Sequence, residues 1–142
     1  MLEITIKDLD KIANDLINKA QKNKTKKATV LAFYGDLGTG KTTITQAICK
    51  ILGTKEKIIS PTFVIMKKYS INNGKFKNLI HIDAYRIEKI NELICLGWEE
   101  LISDEKNLII IEWPEKTQKL IPKDAIVINL SHINEHTRGI SY

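Results

Sequence analysis

The sequence predicts an α/β fold in three layers, with a mostly parallel sheet that carries antiparallel strands at its C-terminal end. Three observations support this prediction. Strand-like and helix-like segments alternate, a glycine-rich loop follows an apolar run, and two later apolar segments each end in a carboxylate. Because domains commonly contain roughly 100 to 150 residues, the 142 residues are expected to form one domain, 1–142.

The N-terminal third of the chain predicts two strands and two helices. LEITI at 2–6 is typical of a strand, and Asp8 is a candidate N-cap for a helix with one apolar face as far as Ala20. TVLAFY at 29–34 is apolar almost throughout, as expected for a strand covered on both faces. A second amphipathic helix follows the glycine-rich loop and ends at Gly53, a typical C-terminal cap.

The rest of the chain predicts further strands with helical segments between them. The segment EKINELICLGWEELI has helical spacing that Gly97 interrupts, and Pro114 suits the first turn of a short helix. The predicted strands lie at 63–71, 76–82, 108–111, 125–133 and around 138–142. A turn through Asn72, Asn73 and Gly74 is expected to join the first two of these strands.

Composition narrows the class of protein. With 43% hydrophobic and 27% charged residues, the chain is neither disordered nor collagen-like. Cys49 and Cys95 lack a Cys-x-x-Cys partner and are expected to be reduced core residues of a cytoplasmic protein, and no run predicts a membrane span. The net charge is +5, with +9 over residues 1–80, and the lysine-rich stretch at 22–27 is either a solvated loop or a surface for an anionic partner.

The glycine-rich loop matches the phosphate-binding pattern G-x-x-x-x-G-K-[ST] without a mismatch. Glycines allow the backbone amides to approach a triphosphate closely, a lysine supplies a positive charge, and a threonine hydroxyl can bind Mg²⁺. The pattern predicts the P-loop NTPase fold and a site for ATP or ADP. The residues expected to contact the nucleotide are Gly35, Asp36, Leu37, Gly38, Thr39, Gly40, Lys41, Thr42 and Thr43.

Two carboxylates that follow apolar strands are candidates for the metal and water side of the site. Glu112 follows the better strand, whereas Asp83 has the more usual residue type for this position. We expect Glu112 to bind Mg²⁺ together with Thr42, and Asp83 either to orient or polarise the attacking water or to bridge to the metal. The reverse assignment of the two carboxylates is nearly as plausible.

Four more residues are candidates for weaker reasons. Thr62 lies where nucleotide switches place a hydroxyl that senses the γ-phosphate, although Ser-Pro-Thr is also an ordinary turn. Arg86 could reach phosphate, an acidic partner or only a surface carboxylate. Trp113 either packs beside the nucleotide or closes the edge of the core, and His81 is more typical of a core or edge position than of a base.

Other classes of phosphate-loop protein are disfavoured. No N-K-x-D or D-x-x-G follows the loop as in a GTPase, and no L-S-G-G-Q marks a transporter ATPase. A small-molecule or nucleoside kinase is the alternative enzyme, although Arg86 and Arg138 are the only arginines available for a lid over an acceptor. A nucleotide-gated adaptor that never cleaves ATP is the third hypothesis.

Five blocks, in order along most of the chain, resemble the TsaE (formerly YjeE) family of small bacterial ATPases. The blocks are GDLGTGKTT at 35–43, SPTF at 60–63, HIDAYR at 81–86, ELICLGWEE at 92–100 and IEWPE at 111–115. The phosphate loop alone is generic, whereas the other blocks are specific. Thr39 departs from the alanine that the family commonly has, and both residues are small.

The resemblance implies a Mg²⁺-dependent ATPase that is weak alone and binds at the TsaB–TsaD heterodimer. TsaD transfers a threonylcarbamoyl group to an adenosine beside the tRNA anticodon, so tRNA is contacted indirectly and no contact with DNA is expected. By matching position, Lys41 and Thr42 serve phosphate and Mg²⁺, and Glu112 and Asp83 form the acidic pair. The resemblance makes Thr62 the switch and Trp113 a neighbour of the site.

Overall fold

The computed structural model describes residues 1–54 and 64–142 and has a mixed α/β fold built on one seven-stranded sheet. The strands are β1 Leu2–Ile4, β2 Thr29–Tyr34, β3 Met66–Asn73, β4 Phe76–Asp83, β5 Asn107–Glu112, β6 Ile126–His132 and β7 Arg138–Ser141. The helices are α1 Leu9–Lys22, α2 Lys41–Ile51, α3 Ile90–Cys95 and α4 Trp98–Ser103, with 3₁₀ segments at Ile6–Asp8 and Pro114–Leu120. In the described ranges, no helix is both long enough and apolar enough to cross a membrane.

The centre of the sheet is parallel and both edges are antiparallel. The strand order is β1-β7-β6-β2-β5-β4-β3, in which β4, β5, β2 and β6 run parallel to their neighbours in this group. The predicted antiparallel C-terminal end is confirmed in the pair of β6 and β7. The other side of β6 runs parallel to β2, because β6 is reached through a crossover that contains the segment Pro114–Leu120. A short connection then turns the chain back into β7, and the hairpin of β3 and β4 makes the other edge antiparallel.

The sheet buries apolar side chains on both of its faces. On β5, Leu108 and Ile110 belong to the cluster that contains the apolar residues of α1 and α2. Ile109 and Ile111 belong to a second cluster, with Leu93 of α3 and the side chains around it. This alternation explains why the central strands read as nearly continuous apolar runs.

Several boundaries differ from the sequence-based expectation. The first strand ends at Ile4 rather than at residue 6, because Thr5 begins a 3₁₀ turn. Asp8 does not cap α1 with its side chain; its carboxylate accepts hydrogen bonds from the Thr5 amide at 2.8 Å and the Thr5 hydroxyl at 2.9 Å. The strand predicted at 63–71 is described only from Met66, and residue 63 lies outside the described ranges.

The two cysteines occupy different environments. Cys49 is fully buried on α2, as expected for a core residue, and burial raises the pKa of its thiol to about 12. Cys95 is exposed at the end of α3, so its placement in the core was wrong. Both thiols are free. The apolar residues around Cys95 in the sequence do not show whether it lies on the buried or the exposed side of the six-residue helix α3.

Candidate functional site

The phosphate loop joins the carboxyl end of β2 to the N-terminus of α2. Gly35, Gly38 and Gly40 have φ values of 149°, 78° and 99°, which side-chain-bearing residues rarely adopt. The loop therefore needs glycine at these three positions to make its turn. Since α2 begins at Lys41, the free amides of its first turn and the positive end of its dipole face the same site.

Lys41 lies inside this loop with 5% of its surface exposed. Its ammonium donates hydrogen bonds to the carbonyls of Gly35 and Asp36, the latter at 3.0 Å, and lies 4.1 Å from the centre of the Trp113 ring. Burial lowers the pKa of Lys41 from its ordinary value, and nearby carboxylates, Glu112 first among them, oppose this effect. The geometry concentrates positive charge where a phosphate chain would enter.

Glu112 and Thr42 form the second part of the site. The Thr42 hydroxyl lies 3.1 Å from Glu112 Oε1 and 2.9 Å from Oε2, and only 2% of the surface of Glu112 is exposed. Asp83 is the register partner of Glu112 on the neighbouring strand β4 and is also buried. One Asp83 oxygen accepts the Tyr85 amide at 3.0 Å, which fixes the turn that follows β4.

His81 brings a polar group to the same place from within β4. Its ring is fully buried, and Nε2 lies 2.9 Å from Glu112 Oε1. The interpretation of His81 as a core histidine is confirmed, but the sequence reasoning missed its contact with Glu112. The signal was available, because parallel strands that end together bring His81 diagonally towards the terminal residue of β5.

A cleft of about 310 Å³ brings most of the predicted residues together. Its walls are formed by Leu37, Gly38, Gly40, Lys41, Thr42, Thr43, Asp83, Tyr85, Glu112 and Trp113. Thr39 is a buried residue of the loop, with its hydroxyl 2.8 Å from the Asp36 carbonyl, while Arg86 is exposed. Thr62 lies outside the described ranges, and its proposed sensing role stays a prediction.

A second, larger cavity of about 570 Å³ lies on the other side of the loop. It shares residues 38–40 with the phosphate loop and is bounded by residues at the ends of β1, β6 and β7, among them Ile4, Leu130 and Arg138. The sequence reasoning missed it as a site. Its walls come from both termini of the chain, and only the pairing of β1 with β7 shows that these termini meet.

The donor set fits a hard cation that also takes oxygens from phosphate. Thr42 Oγ1 and the Glu112 carboxylate lie together, and Asp83 shares their cleft. Within residues 1–54 and 64–142, no group of three or more His, Cys, Asp or Glu side chains is arranged as a metal cage. Mg²⁺ is commonly held by one or two protein oxygens together with phosphates and water, and Thr42 with Glu112 offers such oxygens.

Comparison with known proteins shows which family this chain resembles. The family described as "Threonylcarbamoyl adenosine biosynthesis protein TsaE" has a model that matches residues 5–140. The chain belongs to the TsaE family. The resemblance inferred from the sequence blocks is thereby confirmed, and the family is one of tRNA threonylcarbamoyladenosine biosynthesis proteins.

Curated relatives with the TsaE name come from distant bacteria. The Haemophilus influenzae protein is 32% identical over 111 residues (78% of this chain, 68% of the relative), and the Rickettsia prowazekii protein is 38% identical over 110 residues (77% and 73%). The Bacillus subtilis protein is 33% identical over 117 residues (82% and 70%). The crystal structure of Bacillus subtilis YdiB covers 98% of this chain and 82% of its own, with a TM-score of 0.67 and 26% identity.

Proposed function

We propose that this TsaE-family chain is a Mg²⁺-dependent ATPase that associates with TsaB and TsaD and supports turnover in threonylcarbamoyladenosine synthesis on tRNA. The observation that carries the proposal is the cleft in which Lys41, Thr42, Asp83 and Glu112 meet. The apolar clusters on both sheet faces support the three-layer P-loop NTPase arrangement. Cytoplasmic location and contact with tRNA through the complex are parts of the same proposal.

ATP binding is assigned to the two cavities that share the phosphate loop. The β- and γ-phosphates fit the amide-lined turn beside Lys41, where the helix N-terminus favours negative charge. The base and ribose fit the larger cavity, which is mainly apolar and has Lys7 and Arg138 among its walls. Gly38, Gly40 and Thr43 line both cavities, so a nucleotide that spans these residues would occupy both at once.

The chemistry assigned to the site is attack of water on the γ-phosphate. Bound Mg²⁺ would neutralise charge on the phosphate oxygens, and Thr42 with Glu112 would hold it. Asp83, beside Glu112 at the ends of two parallel strands, is assigned the orientation of the attacking water. The product phosphate and ADP then leave the cleft.

Association with TsaB and TsaD is supported by the surface at the mouth of the cleft. Leu37 and Tyr85 line the cleft and are 79% and 47% exposed, and the Tyr85 ring lies 4.9 Å from the Trp113 ring. A partner that covers these apolar groups would exclude water from the phosphates and strengthen their interaction with Lys41. Hydrolysis by the isolated chain is therefore expected to be slow.

The proposal is tested by measuring ATP hydrolysis with Mg²⁺, first with the chain alone and then with TsaB and TsaD of the same organism. We expect the partners to raise the rate, and Lys41→Ala to lower it about 100-fold because it removes the charge beside the phosphates. Lys50→Ala is the matched control, since Lys50 is exposed on the same helix. If the partners leave the rate unchanged and a small acceptor raises it, the chain is a kinase. If ATP binds and is not cleaved even with the partners present, the chain is an adaptor.

A further inference from the structure

His81 is a buried polar ring whose one polar contact within residues 1–54 and 64–142 is with Glu112. The side chains of His81 and of its strand neighbours Ile80 and Ile82 are fully buried. Nε2 lies 2.9 Å from Glu112 Oε1, whereas Nδ1 has no hydrogen-bond partner among the described residues. Because an unpaired buried nitrogen is unfavourable, packing alone favours an apolar residue here, and the contact with Glu112 is what a histidine adds.

The direction of this hydrogen bond follows from the acceptor. A carboxylate that binds Mg²⁺ has no hydrogen to donate, so in the Mg²⁺-binding state of the proposed function Nε2 carries the hydrogen and donates it to Oε1 of Glu112. The Thr42 hydroxyl has one hydrogen and lies within reach of both Glu112 oxygens. The His81 nitrogen, by comparison, contacts Oε1.

The strand register explains how His81 reaches Glu112 from beneath. Asp83 pairs with Glu112, and His81 pairs with Ile110, so His81 lies one step below Glu112 on the same sheet face. Leu79, two residues earlier on this face, is already part of the apolar core under α1 and α2. The nitrogen of His81 thus approaches Glu112 from the core side, while Thr42 and Glu112 both line the cleft.

We propose that His81 is a positioning residue, whose Nε2–H holds the Glu112 carboxylate in the rotation that presents it, beside Thr42, to a nucleotide-bound Mg²⁺. This inference rests on the nucleotide and Mg²⁺ site of the proposed function and names a residue that acts through Glu112. Hydrogen bonds to ligating side chains commonly change metal affinity or activity by about 10- to 100-fold when they are removed. His81 itself is fully buried and is not among the residues that line the cleft.

The test compares ATP affinity with Mg²⁺ and with EDTA, measured by calorimetry on the full chain and its variants. We expect Mg²⁺ to tighten binding to the native chain and His81→Leu to reduce this enhancement about tenfold, with little change in EDTA. His81→Gln places a donor at the same number of bonds from the backbone as Nε2 and should restore most of the enhancement. His81→Asn, one bond shorter, should not.

Leu79→Ala is the matched control, because it weakens the same strand without touching Glu112. It should lower thermal stability and leave the enhancement by Mg²⁺ unchanged. An enhancement in His81→Leu equal to that of the native chain would overturn the inference, as would equal values for the Gln and Asn variants or no enhancement in the native chain. Because the readout is binding, failure of ATP hydrolysis alone would overturn the proposed function and leave this result interpretable.

Discussion

Alanine substitutions at two glycines of the phosphate loop test how closely the loop backbone packs against its neighbours. A Cβ placed on Gly35 would lie 2.6 Å from the Leu130 carbonyl oxygen and 2.7 Å from the Thr39 hydroxyl oxygen. The same atom on Gly38 would meet nothing within 4 Å. Both glycines have φ values that an alanine rarely adopts, at 149° and 78°. Gly35→Ala therefore adds steric overlap with a fixed backbone atom to strain that both substitutions share.

The magnitudes follow from these two contributions. Backbone strain of this kind costs about 1 to 3 kcal/mol, and overpacking of a filled site costs about 1 to 3 kcal/mol more. Gly35→Ala should thus lower the free energy of unfolding further than Gly38→Ala by about 1 to 3 kcal/mol, measured by urea denaturation. In a thermal scan, the difference is about 3 to 9 °C for a chain of this size. Equal losses for the two variants would refute the close packing of Gly35 against β6.

Three further outcomes are expected. In the native state, a maleimide reagent at pH 8 should label Cys95 quickly and Cys49 only after denaturation, which mass spectrometry of the labelled peptides checks. Burial raises the pKa of Cys49 from 9.0 to about 12, so the unfolded chain loses this proton first as the pH rises. The free energy of unfolding should therefore fall by about 1.4 kcal/mol per pH unit between these two values. The same measurement on Cys49→Ala should lack this pH-dependent loss. ATP should change the emission of Trp113 because phosphate competes for Lys41, so the signal should persist in Trp98→Phe and vanish in Trp113→Phe.

The sequence was sufficient for the elements whose pattern is local. The β2 run at 29–34 was predicted at the residues where the structure has it, and a helix was predicted directly after the glycine-rich loop, where α2 begins at Lys41. An apolar strand, glycines and an amphipathic helix follow one another directly in the sequence. The interruption at Gly97 likewise separates α3 from α4. These features depend on neighbours within a few residues, which a single sequence displays.

Features that depend on distant parts of the chain were missed or wrong. The direction of β6 depends on how the chain crosses the sheet after β5, and the cavity near Arg138 depends on the pairing of β1 with β7. The exposure of Cys95 depends on which side of a short helix meets the sheet. None of these arrangements leaves a periodic signal, because each is decided by tertiary packing.

The alternation of side chains along two parallel strands brings Asp83, Glu112 and His81 together. In a strand, residues separated by two lie on the same face, so His81 and Asp83 share the face on which Glu112 lies in β5. The register that pairs Asp83 with Glu112 ends both strands at the same level, where α2 begins with Lys41 and Thr42. A slip of β4 by one residue would move both of its polar side chains to the opposite face, against the apolar cluster that contains Ile111. Burying a histidine and a carboxylate there without partners is unfavourable, so the polar residues that form the site also help to select the register that assembles it.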